Sequence, residues 1–158
     1  MIRPNPNEVL DIHIPKFTRM VAENKASAFL ICGDSGVGKS FGVEKTLKQC
    51  EKEFKLKWMT FGGGISAIGL YRTLFKNRHG VIVFDDIDSV FSARGTADLL
   101  KNALNSKSSR KVDYIKNNPN IYNAYKMDDE DKEIEYIASK GTAYPNSFIF
   151  NGGCIAFD

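Results

Sequence analysis

Apolar residues along this chain fall into two alternating patterns. "SAFLICG" is a short continuous apolar run of the kind that forms a strand buried on both faces. "LKWMTFGGG" is a second strand candidate that ends in three glycines, and "GVIVFDD", Gly80 to Asp86, is a third buried strand in which four apolar residues lead into acid. Between these runs the spacing becomes helical. "SFGVEKTLKQCEKEF" repeats Phe41, Val43, Leu47, Cys50 and Phe54, and "ISAIGLYRTLFKN" carries Ile65, Ile68, Leu70, Leu74 and Phe75. "TADLLKNALNS" reads as a third helix. Ahead of them, Glu8 to Asn24 mixes its spacing around Pro15, which predicts a short lead-in and then a helix from about Lys16. Strands that alternate with helices predict an α/β fold: a parallel sheet with helices on both faces, because parallel neighbours need crossover connections.

Lys107 to Asn146 breaks the rhythm. The segment is polar, rich in Asn, Lys and Tyr, and carries the acidic run Asp128 to Glu133. "KVDYI" reads as a short strand, "DKEIEYIAS" as a helix, and the rest as a solvated loop. The closing "SFIFNGGCIAFD" has apolar residues on either side of a turn-forming Asn-Gly-Gly. The expected division is a lead-in helix over residues 1–25 and a core over 26–158, with 106–147 as a polar excursion. No internal repeat or low-complexity tract is visible.

A chain of 158 residues, 42% hydrophobic and 26% charged, suits one globular domain with a single core. A net charge of +3 permits a nucleic-acid partner without arguing for one; Lys101 to Lys116 is the densest basic stretch, read as a charged loop. Cys32, Cys50 and Cys154 lack C-x-x-C spacing, and Cys32 and Cys154 sit in apolar runs, so they read as reduced core residues. The first residues form no signal-peptide segment, and no run approaches the roughly 18 apolar residues of a membrane span. These features predict a cytoplasmic protein with no membrane contact.

The chemistry concentrates in "ICGDSGVGKSFG". Gly33, Gly38, Lys39 and Ser40 fill every fixed position of G-x-x-x-x-G-K-[ST], Gly36 adds another glycine, and the motif joins an expected strand to an expected helix. Such a loop turns its N–H groups onto phosphate oxygens, and the helix that follows adds its positive dipole end. The expected nucleotide-binding residues are Gly33, Asp34, Ser35, Gly36, Val37, Gly38, Lys39, Ser40 and Phe41. Lys39 is assigned to the β- and γ-phosphates as a catalytic charge, and the Ser40 hydroxyl to Mg²⁺. Asp85, at the tip of the third strand, is the second metal residue, and Asp86 is the catalytic acid that orients the attacking water. Asp88 is expected to cap the following segment, with the metal's outer shell as the alternative. No N-K-x-D guanine-reading motif occurs, which favours ATP with Mg²⁺ as the bound species.

"GDSGVGKS" followed by "VIVFDD" resembles the Walker A and Walker B elements of the AAA+ ATPases, in which the second element is usually four apolar residues, Asp, then Glu. Asp86 stands where that family mostly has Glu and is one methylene shorter. "GGGISAIGLY", "VIVFDDIDSVF" and "LLKNALNS" are more faintly similar to small ATPases of phages and mobile elements. The resemblance covers roughly Ala26 to Ser106. It implies a P-loop NTPase fold and ATP hydrolysis by a motor or switch acting in DNA replication or packaging. A homo-oligomer in the full-length form, a nucleic-acid or protein substrate, and an arginine donated between subunits are also implied. Arg72, Arg78, Arg94 and Arg110 are the candidates for that arginine, with Arg94 and Arg110 the better placed. The family continues through a fourth strand with a polar residue at its tip, a fifth strand and a helical lid, so the module is expected to be incomplete at its C-terminus. "CIAFD" is the favoured fourth strand; "FIF", with Asn151 as the polar tip, is the alternative. A small-molecule P-loop kinase and a nucleotide-dependent binding module with little turnover are the competing functions.

Overall fold

The computed structural model describes residues 5–105, 110–114, 121–122 and 144–158. The chain opens with α1 (Pro6–Glu8), a π-helical turn (Val9–His13) and α2 (Ile14–Ala22). It continues through β1 (Ala28–Ile31), α3 (Lys39–Phe54), β2 (Trp58–Phe61), α4 (Ala67–Lys76) and β3 (Val81–Phe84). Next come α5 (Ile87–Phe91) and α6 (Thr96–Ala103), then the short strands β4 (Lys111–Asp113), β5 (Ile121–Tyr122), β6 (Tyr144–Pro145) and β7 (Ser147–Ile149), and finally β8 (Gly153–Phe157).

Four strands form one parallel sheet in the order β1-β8-β3-β2, flanked by helices on both faces. The two inner strands are buried along their whole length, as the apolar run "VIVF" requires. Alternation then divides their side chains. Val81, Val83, Ile155 and Phe157 pack with Ile14, Val21, Val43, Leu47 and Cys50 of α2 and α3. Ile82, Phe84, Cys154 and Ala156 pack with Leu70, Leu74, Val90 and Leu100 of α4, α5 and α6. Each aliphatic or aromatic side chain so buried contributes about 1.5–3 kcal/mol.

Several expectations change. β1 is an edge strand and is not buried on both faces: Leu30 is 54% exposed, because β1 has one strand neighbour and a face that lines an open groove toward α6. The strand also ends at Ile31, which leaves Cys32 exposed in the following loop and outside the core. Cys50 and Cys154 are buried free thiols as expected, and burial pushes the Cys154 thiol up to about 12. Helix begins well before Lys16. Pro15 occupies the first turn of α2, and the wider π turn before it accommodates the ring and the missing N–H.

"KVDYI" does form a strand, β4, which pairs antiparallel with β7 through Val112 and Phe148. "FIF" therefore belongs to that small ribbon, and the fourth strand of the main sheet is β8. An aromatic cluster fixes the ribbon to α4: Tyr71 lies 5.2 Å from Phe148 and 5.3 Å from Tyr114 between ring centroids, and its hydroxyl donates to Pro145 O at 2.5 Å. The helix expected over "DKEIEYIAS" lies outside the described residues. Among the described residues no helix is long and apolar enough to cross a membrane.

The start of β8 threads a narrow gap. Gly153 N donates to Gly80 O at 2.9 Å and Asn151 N to Arg78 O at 2.7 Å, so the turn is pressed onto the backbone just before β3. A Cβ on Gly152 would collide with the Gly80 carbonyl oxygen and sit 3.1 Å from Asn77 O; neither is a flexible side chain that can move aside. Gly152→Ala is expected to cost about 2 kcal/mol or more in urea unfolding. At Gly62 the nearest atom to an added Cβ is Asp85 Cβ at 3.9 Å, and Gly62→Ala should stay within about 0.5 kcal/mol of the parent. Equal stabilities for the two variants would contradict this reading of the gap.

Candidate functional site

Three parallel strands end side by side. Register pairs Ile31 with Phe157 and Phe84 with Ala156, so the loop after β1, the residue after β8 and the acids after β3 converge at one edge of the sheet. Hydrogen bonds continue the ladder past the strand ends: Asp158 N donates to Ile31 O at 3.1 Å and Asp85 N to Phe61 O at 2.8 Å. A crevice at the carboxyl ends of parallel strands is where open α/β sheets hold ligands.

The glycine-rich loop turns by backbone conformations that side chains disfavour. Gly33, Gly36 and Gly38 have φ of 149°, 78° and 94°, and Gly38 in its left-handed conformation caps the start of α3. The loop thereby delivers the free N–H groups of α3's first turn to the cavity. Lys39 folds back so that its ammonium donates to Gly33 O across the loop. The first turns of α3 are seated on the N-terminal helix: a Cβ on Gly42 would meet Ile14 Cγ2 at 3.2 Å, and one on Gly38 would touch Leu10.

A cavity of about 550 Å³ gathers most of the expected residues. Ser35, Gly36, Gly38, Lys39, Ser40 and Phe41 line it from the loop and α3, and Asp85 and Asp86 line it from the end of β3. Gly33, Asp34 and Val37 belong to the loop and are not in its lining. Phe157 and Asp158 join the wall, which the sequence did not signal because their position depends on β8 lying between β1 and β3. Asn151 lies at the opposite end of β8, far from these strand ends. Phe41 is 72% exposed at the rim.

The Ser40 hydroxyl and the Asp85 carboxylate are hard oxygen donors that line the same cavity, and this donor set fits Mg²⁺. Among the described residues no group of three or more His, Cys, Asp or Glu forms a cage for a metal ion.

Asp86, rather than Asp88, caps α5. Its Oδ1 accepts from Ser89 N at 3.2 Å and its Oδ2 accepts from the Ser89 hydroxyl, while Asp88 lies inside the first helical turn. The Ser89 hydroxyl and then the Ser89 N–H hold the Asp86 carboxyl below the usual carboxylate range. The arginines separate clearly. Arg110 donates to Ala103 O at 2.6 Å and Gly152 O at 2.5 Å and covers Phe150, so its guanidinium is committed to the fold. Arg78 donates to Phe75 O and lies 4.4 Å over the Phe75 ring; Arg72 lies 5.4 Å over Tyr144. Arg94 is exposed in the α5–α6 loop.

A larger groove of about 700 Å³ lies between β1 and α6, lined mainly by apolar side chains such as Phe29, Leu30, Phe91 and Leu100. Size alone would favour it, but the convergent charged and hydroxyl groups are in the smaller cavity.

The chain is 34% identical over 97 residues to an uncharacterized 36.7 kDa protein in the nrdC-mobD intergenic region of Enterobacteria phage T4. The match covers 60% of this chain and 30% of that protein. No protein-family model matches the chain, and no solved structure matches it.

Proposed function

We propose that this chain binds ATP with Mg²⁺ and hydrolyses it as an AAA+-like motor or switch ATPase. The observation that carries the reading is the single cavity in which Lys39 and Ser40, at the N-terminus of α3, face Asp85 and Asp86 at the end of β3. Loop N–H groups and the α3 dipole bind the phosphates. Lys39 leaves its Gly33 carbonyl to neutralise the β- and γ-phosphate oxygens, and the hydroxyl of Ser40 and the carboxylate of Asp85 hold the metal. Bound Mg²⁺ would neutralise charge on the phosphate oxygens. Asp86 accepts a hydrogen bond from the attacking water and so fixes its line of approach, while positioning and charge neutralisation supply most of the rate. A role in DNA replication or packaging, with a nucleic-acid or protein substrate, rests on the AAA+ resemblance alone.

One observation favours a second reading, nucleotide-dependent binding with little turnover. Asp86 is shorter than Glu, and both of its oxygens already accept from Ser89. Phosphate release decides between the two. A kinase would need a separate acceptor, so release to water without one also sets that function aside.

The assembly expected of this reading is a homo-oligomer with a shared site. Of the four arginines considered, Arg94 is the one whose guanidinium has no protein partner among the described residues, and we assign it the role in trans.

Three outcomes follow from these roles. In isothermal titration Lys39→Ala should weaken ATP binding at least tenfold, about 1.4 kcal/mol, and unchanged affinity would remove the loop's assignment. Asp85→Asn should lose Mg²⁺-dependent affinity, whereas Asp86→Asn should keep ATP affinity within about twofold and lose turnover; parent-level turnover in Asp86→Asn would place the water-orienting group elsewhere. Specific ATPase activity should climb with protein concentration as sedimentation shows association, and Arg94→Ala should flatten that climb by about tenfold or more while sparing binding. Fast turnover by a monomer would instead favour a self-contained site.

A further inference from the structure

We propose that Ser89 is a positioning residue for Asp86, clamping its carboxylate in the orientation that faces the phosphate cavity; this rests on the hydrolytic reading above. The geometry is specific to this pair. Ser89 gives two donors to two different oxygens, its N–H to Oδ1 at 3.2 Å and its hydroxyl to Oδ2. A carboxylate held at both oxygens loses its side-chain rotations, yet each oxygen keeps a second lone pair. The clamp therefore fixes Asp86 without exhausting its capacity to accept from a water. Ser89 is half-buried and is not part of the cavity lining, so it acts through Asp86 and has no direct contact with a ligand there.

The clamp stands on a rigid base. Val90, the next residue, is fully buried, and its carbonyl accepts from Thr96 Oγ1 at 2.7 Å. Ser89's own carbonyl accepts from Ser92 Oγ at 2.7 Å. The orientation of Asp86 is thus inherited from the core through the first turn of α5. An Asp reaches less far than a Glu and cannot swing to compensate for a misplaced backbone. Fixing its rotamer in advance removes an ordering cost from the reaction, which is what a supporting hydrogen bond to a reactive side chain achieves.

The test uses the whole chain with Ser89→Ala, Ser89→Thr, Asp86→Ala, Asp86→Asn and the corresponding double variants. In urea unfolding of the unliganded protein, the effects of Ser89→Ala and Asp86→Ala should be non-additive by at least about fivefold in the unfolding constant. Ser89→Ala should lower kcat about tenfold while the Kd for a non-hydrolysable ATP analogue stays within about twofold, and Ser89→Thr should restore kcat. With Asp86→Asn already in place, Ser89→Ala should change the residual rate no further. Additive unfolding, or a Ser89→Ala kcat at or above the parent's, overturns the clamp and leaves the hydrolytic reading standing. Absence of phosphate release from the parent protein overturns the hydrolytic reading, and with it the catalytic meaning of the clamp.

Discussion

The parallel ladder that holds β8 between β1 and β3 aligns every chemical group in the candidate site. Ile31 is level with Phe157 and Phe84 with Ala156, so the glycine-rich loop, Asp158 and Asp85 leave the sheet at the same height. A shift of one residue in this register would turn Ile155 and Phe157 away from α3 and push Cys154 and Ala156 in their place, exchanging large side chains for small ones in one layer and reversing that in the other. Core packing thereby enforces the register, and the register enforces the site. The glycines at the far end serve the same constraint, since β8 enters the sheet only where Gly152 and Gly153 allow close backbone approach.

Each side of the cavity is supported by a different layer. On the loop side, α3, capped by Gly38, packs through Gly42 onto Ile14 and Leu10, so the cavity-facing first turn of α3 rests on the N-terminal helix. The π turn that contains Leu10 keeps the helix continuous through Pro15 and preserves that contact. On the acid side, α5 is anchored by Val90 and Thr96 and presents Asp86 at its cap. The inner strands β3 and β8 run between the two halves and send side chains into both layers. Substitutions at that junction should disturb the site even when they are remote from its polar groups.

The cations follow a division of labour imposed by desolvation. Arg110 is partly buried, and its guanidinium donates to two backbone carbonyls near the ribbon. Arg19 pairs with Glu53 at 2.7 Å and holds that exposed carboxyl below its usual range, tying α2 to α3 at the surface. Lys39 instead rests on a single carbonyl of its own loop. A neutral carbonyl is a weaker partner for an ammonium than an anionic oxygen is.

Local sequence was sufficient for the elements with strong periodicity or fixed chemistry. The buried run of β3, the amphipathic α3 and α4, the glycine-rich loop and the pair of acids after "VIVF" were all legible, because each is dictated by neighbours within a few residues. The helix α5 was not, since its five residues are too few for a period and its stability comes from Val90 in the core. The exposure of Cys32 and Leu30 was misread for a related reason: an apolar run records burial potential but not whether a strand lies at an edge. Position in the sheet decided three further matters: that β8 and not "FIF" is the fourth strand, that Phe157 and Asp158 border the cavity, and that Arg110 is structural. The sequence by itself determined which groups are chemically able to meet a phosphate and a metal. Only the tertiary structure decided which of them converge, because convergence depends on the pairing of strands more than 100 residues apart along the chain, such as Ala28 with Cys154, and no local pattern encodes it.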